Sequence, residues 1–358
     1  MQSVHQIIVG ASRRDAITNM ALSLRDSLRS QYKSNIYSYH PPDPSIEDDV
    51  RPLEDLQFGN SNDVIVYHSS FGIPKLTALL QARSEKLALV YHNVTPSSYY
   101  LRSDPDFAAA LEWGRHELRI LQPLVDATFA VSRFNAAELS GFGYSNIVEL
   151  AVGLNPHRLR DEPSDQKLIG ELHGHFPDGF ILVVSQVIPH KRMELAIEAV
   201  HLLRSVHRLD VGLVIAGPQR NEGYLRQLQT LRSHLPEANV LMMGETTDSE
   251  LATLYRTCSV YFGTSDHEGL AIPPLEAMSA GAPVVIRGVG AVPETVGDAA
   301  LVASPEARIC ELTEMLYLVL TNSELRSTLI ARGTEHVRLN FSNDTSSEFI
   351  RRINELAS

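Results

Sequence analysis

The sequence predicts an α/β protein made of two parallel-sheet domains, and three observations carry that prediction. Short β-rich runs alternate with longer runs of helical spacing along the whole chain, the pattern of strand–helix–strand units. A polar interval rich in Asp, Pro, Gly and His, Asp161 to Gly179, separates two such alternations and marks the expected linker and domain start. The 358 residues, 44% of them apolar and 21% charged, suffice for two cores of ordinary size.

The elements follow in chain order. Gln6 to Val9 reads as the first strand. Asp15 to Ser30 reads as a helix, because Ile17, Met20, Ala21, Leu24 and Leu28 recur at helical spacing. Strands are predicted over Asn35 to Tyr39, Asp63 to Tyr67 and Leu87 to Tyr91. A helix over Ala108 to Leu124, a strand over Ala127 to Val131 and a helix from Asn135 come next. Ile147 to Leu150 closes the first domain, expected over 1–160. The second domain, expected over 161–341, alternates strands at Phe180 to Ser185, Gly212 to Ala216, Asn239 to Met243, Val260 to Phe262 and Pro283 to Ile286 with helices. Those helices fall at Met193 to Ser205, Tyr224 to His234, Ser249 to Arg256 and Pro274 to Ala280. The chain is mostly helical from Pro305, and a final helix over about 342–358 is expected to pack back on the first domain.

Composition and motifs exclude several classes. The net charge is −12, with 15 basic against 17 acidic residues up to Arg160 and 16 against 26 beyond it, which argues against a duplex nucleic-acid partner. No apolar run approaches the roughly 20 residues of a membrane-spanning helix. Met1 to Gly10 lacks the basic start and apolar segment of a secretory signal, so a cytoplasmic address is expected. Cys258 and Cys310 cannot build a disulfide framework or a cysteine metal site. The glycine fingerprint of dinucleotide-binding proteins, the Walker A loop, the H-E-x-x-H zinc motif and the G-x-S-x-G elbow are all missing.

The informative stretch runs from Gly244 to Pro305. Within it Glu268 and Glu276 stand with seven residues between them. Glu268 falls in a loop after the Val260 to Phe262 strand; Gly269 to Ile272 form a small-residue turn, and Pro273 opens a helix stopped at Gly281. Such a turn aims backbone N–H groups and a helix N-terminus at one point, which suits a diphosphate. Glu276, in the first turn of that helix, would reach a sugar hydroxyl beside the anion.

This segment resembles the signature of the family 4 retaining glycosyltransferases (glycosyl transferases group 1). That family has the GT-B fold, two Rossmann-like domains with parallel sheets facing across a cleft. The resemblance extends to Val131-Ser132 with Glu138-Leu139, to Val152 to Pro156 as the inter-domain connection, to Val184 to Lys191 as the donor-phosphate loop, and to Leu213 to Gly217. It implies a metal-independent, retaining transfer of a hexose or deoxyhexose from a nucleoside-diphosphate sugar to an acceptor hydroxyl, with no cofactor and no metal. Residue by residue, it implies that Glu268 touches donor sugar hydroxyls, Glu276 the ribose, and Lys191 the leaving diphosphate. Gly269, Leu270 and Ala271 form the phosphate turn, Gly244 lies near the base, and His92 contacts the sugar and the reaction centre, which makes His92, Lys191 and Glu268 the implied catalytic residues. Gly10 and the loop to Ala16 face the ligand from the first domain, with Asp15 and His68 as acceptor-side candidates.

Two departures stand out. Gln186 occupies the place of the family's usual Arg five residues before Lys191, and Arg192 or Arg13 is the candidate replacement. The usual Gly-Phe-Gly turn reads Gly269-Leu270-Ala271, which requires negative φ at Ala271. Asp15 has a second reading as a helix cap, and Trp113 is expected in the core. The acceptor implied is a saccharide, a lipid-linked saccharide or a small molecule, in bacterial cell-surface polysaccharide or glycolipid assembly, with peripheral contact at the inner membrane. An epimerase or phosphorylase on the same scaffold, or a non-catalytic nucleotide-sugar-binding protein, remains open at this point.

Overall fold

The computed structural model describes residues 2–13, 15–150, 159, 161–341 and 346–358. The chain divides into two compact units: Met1–Leu101 with Pro105–Gly153 and Asn343–Ser358, and Arg102–Asp104 with Leu154–Ser342. The Val152 to Pro156 connection lies outside the described residues.

In the first unit, the strands β1 (Val4–Ile8), β2 (Ile36–Ser38), β3 (Val50–Pro52), β4 (Val64–Ser69), β5 (Lys86–Tyr91), β6 (Ala127–Ala130) and β7 (Val148–Glu149) form one parallel sheet in the order 3-2-1-4-5-6-7. β3 and the helix α2 (Pro74–Ala82) are additions that the sequence pattern does not show. α1 (Ala16–Leu28), α3 (Pro105–Leu121) and α4 (Arg133–Gly141) lie within three residues of expectation at their N-terminal ends. Side chains alternate across the sheet. Ile7, Ile65, Tyr67, Leu87, Leu89 and Tyr91 join one core, while Ile8 packs with Ala21 of α1 and with Ile36 in another. Trp113 is half-buried and donates its indole N–H to Thr77 Oγ1 at 3.0 Å.

The second unit holds β8 (Phe180–Val184), β9 (Gly212–Ala216), β10 (Val240–Gly244), β11 (Val260–Gly263), β12 (Val284–Arg287) and β13 (Leu301–Ala303), all parallel, in the order 10-9-8-11-12-13. The interval read as a polar linker contains a helix, α5 (Gln166–His175). Asp165 caps it by accepting from Lys167 and Leu168 N, and Leu168, Leu172 and Phe176 enter the core beside Leu182 and Val214. Its three apolar positions among many polar ones are too sparse for the periodicity to show it. α6 (Met193–Ser205), α7 (Glu222–His234), α8 (Asp248–Thr257), α9 (Ile272–Ser279) and α10 (Val292–Val296) follow. α11 (Ile309–Thr321) and α12 (Ser323–Asn340) come after β13.

The last helix, α13 (Ser346–Ala357), belongs to the first unit, burying Phe349 and Ile353. Tyr32 OH donates to Asn354 Oδ1 at 2.6 Å, and Phe349 packs on Phe129 with ring centroids 4.9 Å apart. Both sheets have Rossmann-like topology, and strand order reverses between β1 and β4 in one and between β8 and β11 in the other. Ligands of such sheets bind at the carboxyl ends of the strands flanking that reversal.

Candidate active site

The loops leaving β8 and β11 carry the two residues that the sequence marks most strongly, and the fold brings them together. Lys191 closes a short 3-10 turn, Pro189–Lys191, and its Nζ donates to Glu268 Oε1 at 2.8 Å. Ser265 Oγ donates to the same oxygen at 2.6 Å, so both contacts fall on Oε1 and Oε2 is engaged by neither. The side chains of Lys191 and Glu268 are 18% and 16% exposed, enough for a ligand to reach them and too little for water to screen the pair fully.

A second ion-pair network holds the two loops in register. Thr264 Oγ1 donates to Lys191 O at 2.6 Å, and Asp266 N donates to His190 O at 2.8 Å. The buried Arg287, at the end of β12, donates to Thr264 O and Ser265 O at 3.1 and 3.2 Å and also pairs with Asp266. Arg192 sits at φ +52°, in the left-handed region, and its guanidinium pairs with Asp266 at 2.5 Å and with Glu194. Two carboxylates therefore neutralise Arg192, and it braces the loop instead of presenting a free cation. Arg13 donates to Ser45 O at 3.1 Å in the first unit. Gln186 is exposed and carries no charge. Of these cations Lys191, held by a single carboxylate, remains the candidate for an anion.

The small-residue turn ends at Ala271, with φ −102°, which its Cβ accepts without strain. Pro273 and Pro274 fill the second and third positions of α9, and proline carries no N–H. The expected helix N-terminus is accordingly short of two donors, and those that remain come from Gly269, Leu270, Ala271 and Ile272. Gly281, at φ +83°, ends the helix: Ala282 N donates to Ala277 O at 2.9 Å and Gly281 N to Met278 O at 3.1 Å. Glu276, on α9, receives the hydroxyl of the fully buried Tyr255 at 3.0 Å. Gly244 ends β10 at φ +71°, and its carbonyl accepts from Gly217 N at 2.7 Å.

In the first unit, His92 follows β5 directly and its backbone N donates to Ser69 O at 2.9 Å. His68, expected on the acceptor side, is wholly buried, with ring nitrogens 2.8 Å from His92 Nε2 and from Gln6 Oε1. It can act on a ligand only through His92. Asp15 caps α1, its Oδ2 accepting from Thr18 N at 2.9 Å, so its local role is structural. Gly10 follows β1 with open space where a Cβ would stand.

Sequence reading missed Tyr255, Asp266, Arg287 and Gly290. Arg287 left one signal, a charge ending the apolar strand Val284–Arg287. Gly290 left none, because its requirement comes from a close approach: a Cβ there would stand 2.2 Å from Glu268 O.

Residues 174–336 match the family described as Glycosyl transferases group 1. The chain carries a group 1 glycosyltransferase domain. That domain contains Lys191, Glu268 and Glu276, and the transferase fold agrees with solved structures. HepE of Anabaena, crystallised with UDP and glucose, aligns over 99% of this chain and 100% of its own at a TM-score of 0.78 and 14% identity, a likeness of GT-B fold alone. Among sequence relatives, the serotype-specific mannosyltransferase WbdA of Escherichia coli is 34% identical over 34% of this chain, which spans 15% of the relative's length. The O-antigen chain mannosyltransferase B of Escherichia coli is 24% identical over 76% of this chain and 69% of its own.

Among the described residues no helix is long and apolar enough to cross a membrane, and no group of three or more His, Cys, Asp or Glu is placed to hold a metal ion.

Proposed function

We propose that the protein is a retaining, metal-independent hexosyltransferase that moves mannose, or a related hexose or deoxyhexose, from a nucleoside-diphosphate sugar to an acceptor hydroxyl. The observation that carries this is the Lys191–Glu268 pair at the carboxyl ends of β8 and β11, where the sheet reverses. The names of the bacterial relatives support mannose and cell-surface polysaccharide or glycolipid assembly. An acceptor of that class is saccharide or lipid-linked, which would place the protein in the cytoplasm at or near the membrane face.

In this reading the donor diphosphate lies against Lys191 and the Gly269 to Ile272 backbone, Glu268 holds sugar hydroxyls, and Glu276 holds the ribose. The bond from the anomeric carbon to the phosphate oxygen breaks, and the bond to the acceptor oxygen forms on the same face. The acceptor proton passes to the departing diphosphate. Lys191 stabilises the charge that develops there, so no protein base is required.

The test is nucleoside-diphosphate release from GDP-mannose, UDP-glucose and related donors, in EDTA, with and without lipid-linked or oligosaccharide acceptors. Release that depends on acceptor, with an α-anomeric product by NMR, supports the reading. Donor epimerised without acceptor, phosphate-dependent cleavage, or binding with no turnover would each replace it.

A further inference from the structure

We propose that Gln6 and His68 are positioning residues that lock His92 in its Nε2–H tautomer, so that His92 meets a ligand hydroxyl through an unprotonated Nδ1, as a hydrogen-bond acceptor. The inference rests on the transferase reading for the identity of that hydroxyl, which belongs to a sugar.

The tautomers follow from the hydrogen bonds. Gln6 and His68 point from β1 and β4 toward α1, the face where Ile8 packs, and both are wholly buried. Gln6 Nε2 donates to Ala21 O of α1 at 2.8 Å. Turning the amide over would set its oxygen against that carbonyl, so Oε1 must face His68. Only an N–H can approach it, and His68 Nε2, at 2.8 Å, therefore carries the proton. The neutral His68 ring then has a lone pair on Nδ1, which accepts from His92 Nε2 at 2.8 Å. The remaining nitrogen of His92, Nδ1, has no hydrogen. Every donor in this chain points the same way, toward Ala21, so each bond polarises the next.

Charge does not compete with this assignment. Burial pushes the His92 imidazole down to about 3 and His68 well below its ordinary value, and the one ionisable neighbour acting on His68 is His92. The loop is held as firmly as the ring. Asn93, at φ +85°, donates to Asn135 Oδ1 and Glu138 Oε2 at 2.9 and 3.0 Å. Arg115 pairs with Glu138 at 2.7 Å and donates to Val94 O at 3.0 Å. A strained residue kept by this many bonds fixes where His92 stands. His92 also occupies the place where ligands of such sheets bind, just past the carboxyl end of the strand next to the β1–β4 reversal.

The experiment is long-range proton–nitrogen NMR of the full chain with labelled histidine, the two rings assigned from His68→Gln and His92→Gln spectra. The expected result is Nε2–H for both rings, unchanged from pH 5 to 8. A protonated Nδ1 on His92, or titration of either ring in that range, would overturn the proposal. In Gln6→Leu, the His68 and His92 signals should shift toward mixed tautomers, and kcat should fall by roughly tenfold at unchanged donor KM, the effect of one lost hydrogen bond near the reaction. Gln6→Glu keeps an acceptor for His68 and, as a protonated carboxyl, a donor for Ala21 O, so it should restore the tautomers while adding to the kcat profile a fall toward high pH, where that carboxyl ionises. Unchanged tautomers in Gln6→Leu overturn the proposal even if activity drops. The NMR readout needs no turnover, so correct tautomers with no transfer to any acceptor would count against the transferase reading alone.

Discussion

Lys191 Nζ lies 2.8 Å from Glu268 Oε1, and the two residues reach each other from loops that leave the adjacent strands β8 and β11. A partly buried ammonium held by a carboxylate is already oriented and already partly stripped of water, so in the proposed reaction an entering diphosphate would exchange one anionic partner for another. That arrangement separates Lys191 from the surface cations of the chain. Lys191→Met should lower turnover by about 10²- to 10³-fold, the usual loss when one electrostatic stabiliser of a leaving group is removed. Arg226→Met, which breaks an exposed pair with Glu222, should leave kcat within twofold, roughly the worth of a surface ion pair. Steady-state release of nucleoside diphosphate measures both, and equal effects would remove Lys191 from the chemistry.

Gly290 sits against the backbone of Glu268. At φ +55° with a would-be Cβ 2.2 Å from Glu268 O, it accepts no side chain without moving that loop. Gly290→Ala should cost at least about 1–2 kcal/mol from the left-handed backbone alone, and the displaced Glu268 should lose donor affinity as well. Gly143→Ala, in the first unit and outside the site, is the matched control, with φ +93° and nothing nearer than 3.9 Å to its Cβ. Thermal unfolding with and without nucleotide distinguishes them: both variants lose Tm, and Gly290→Ala also loses the nucleotide-induced rise. An equal response to nucleotide in the two variants would contradict the prediction.

The fold was legible because parallel strands buried on both faces read as apolar runs, and Gly212–Ala216 and Met193–Ser205 stand within the bounds their patterns give. α5 was hidden because a surface helix needs few apolar residues to anchor it, and β3 because three residues, two of them exposed, carry no alternation. The site was legible where chemistry depends on side-chain type at fixed spacing, as with Glu268 and Glu276. It was illegible where the partner lies far along the chain. The pairing of Arg192 with Asp266 spans 74 residues and that of His68 with Gln6 spans 62, and nothing local announces either. The reading of Arg192 as a spare cation shows the cost: charge is visible in sequence, and neutralisation by tertiary neighbours is not.

Tyr255 orients Glu276. Its hydroxyl, inside a fully buried ring, donates to Oε2 at 3.0 Å and leaves the carboxylate committed to one orientation. Tyr255→Phe should therefore weaken binding of ribonucleotide donors by roughly tenfold, about one hydrogen bond to a charged group, with kcat little changed because the ribose is remote from the bond broken. The loss should vanish for the 2′,3′-dideoxy nucleoside diphosphate, which offers Glu276 no hydroxyl. Calorimetric titration of both nucleotides into both proteins checks this, and an equal loss for the two would assign Tyr255 to packing alone.

Glu117 gives a prediction about pH that is independent of the site. It is wholly buried on α3, accepts from Tyr67 OH at 3.0 Å and Thr77 Oγ1 at 2.8 Å, and burial pushes its carboxyl from 4.5 up to about 7. Between those values the folded chain holds a proton that the unfolded chain has released, so stability falls as pH rises through the window and levels off above it. The full cost above pH 7 is about 3 kcal/mol, from the size of the shift. In Glu117→Gln the amide stays neutral, and both hydroxyls can turn to meet it. The variant should gain on the native chain steadily from about pH 4.5 to 7 and hold a constant advantage at pH 8. Denaturant unfolding of the two proteins at pH 5, 6, 7 and 8 measures the difference directly, and a difference that does not change with pH would mean that Glu117 is ionised in the folded protein throughout.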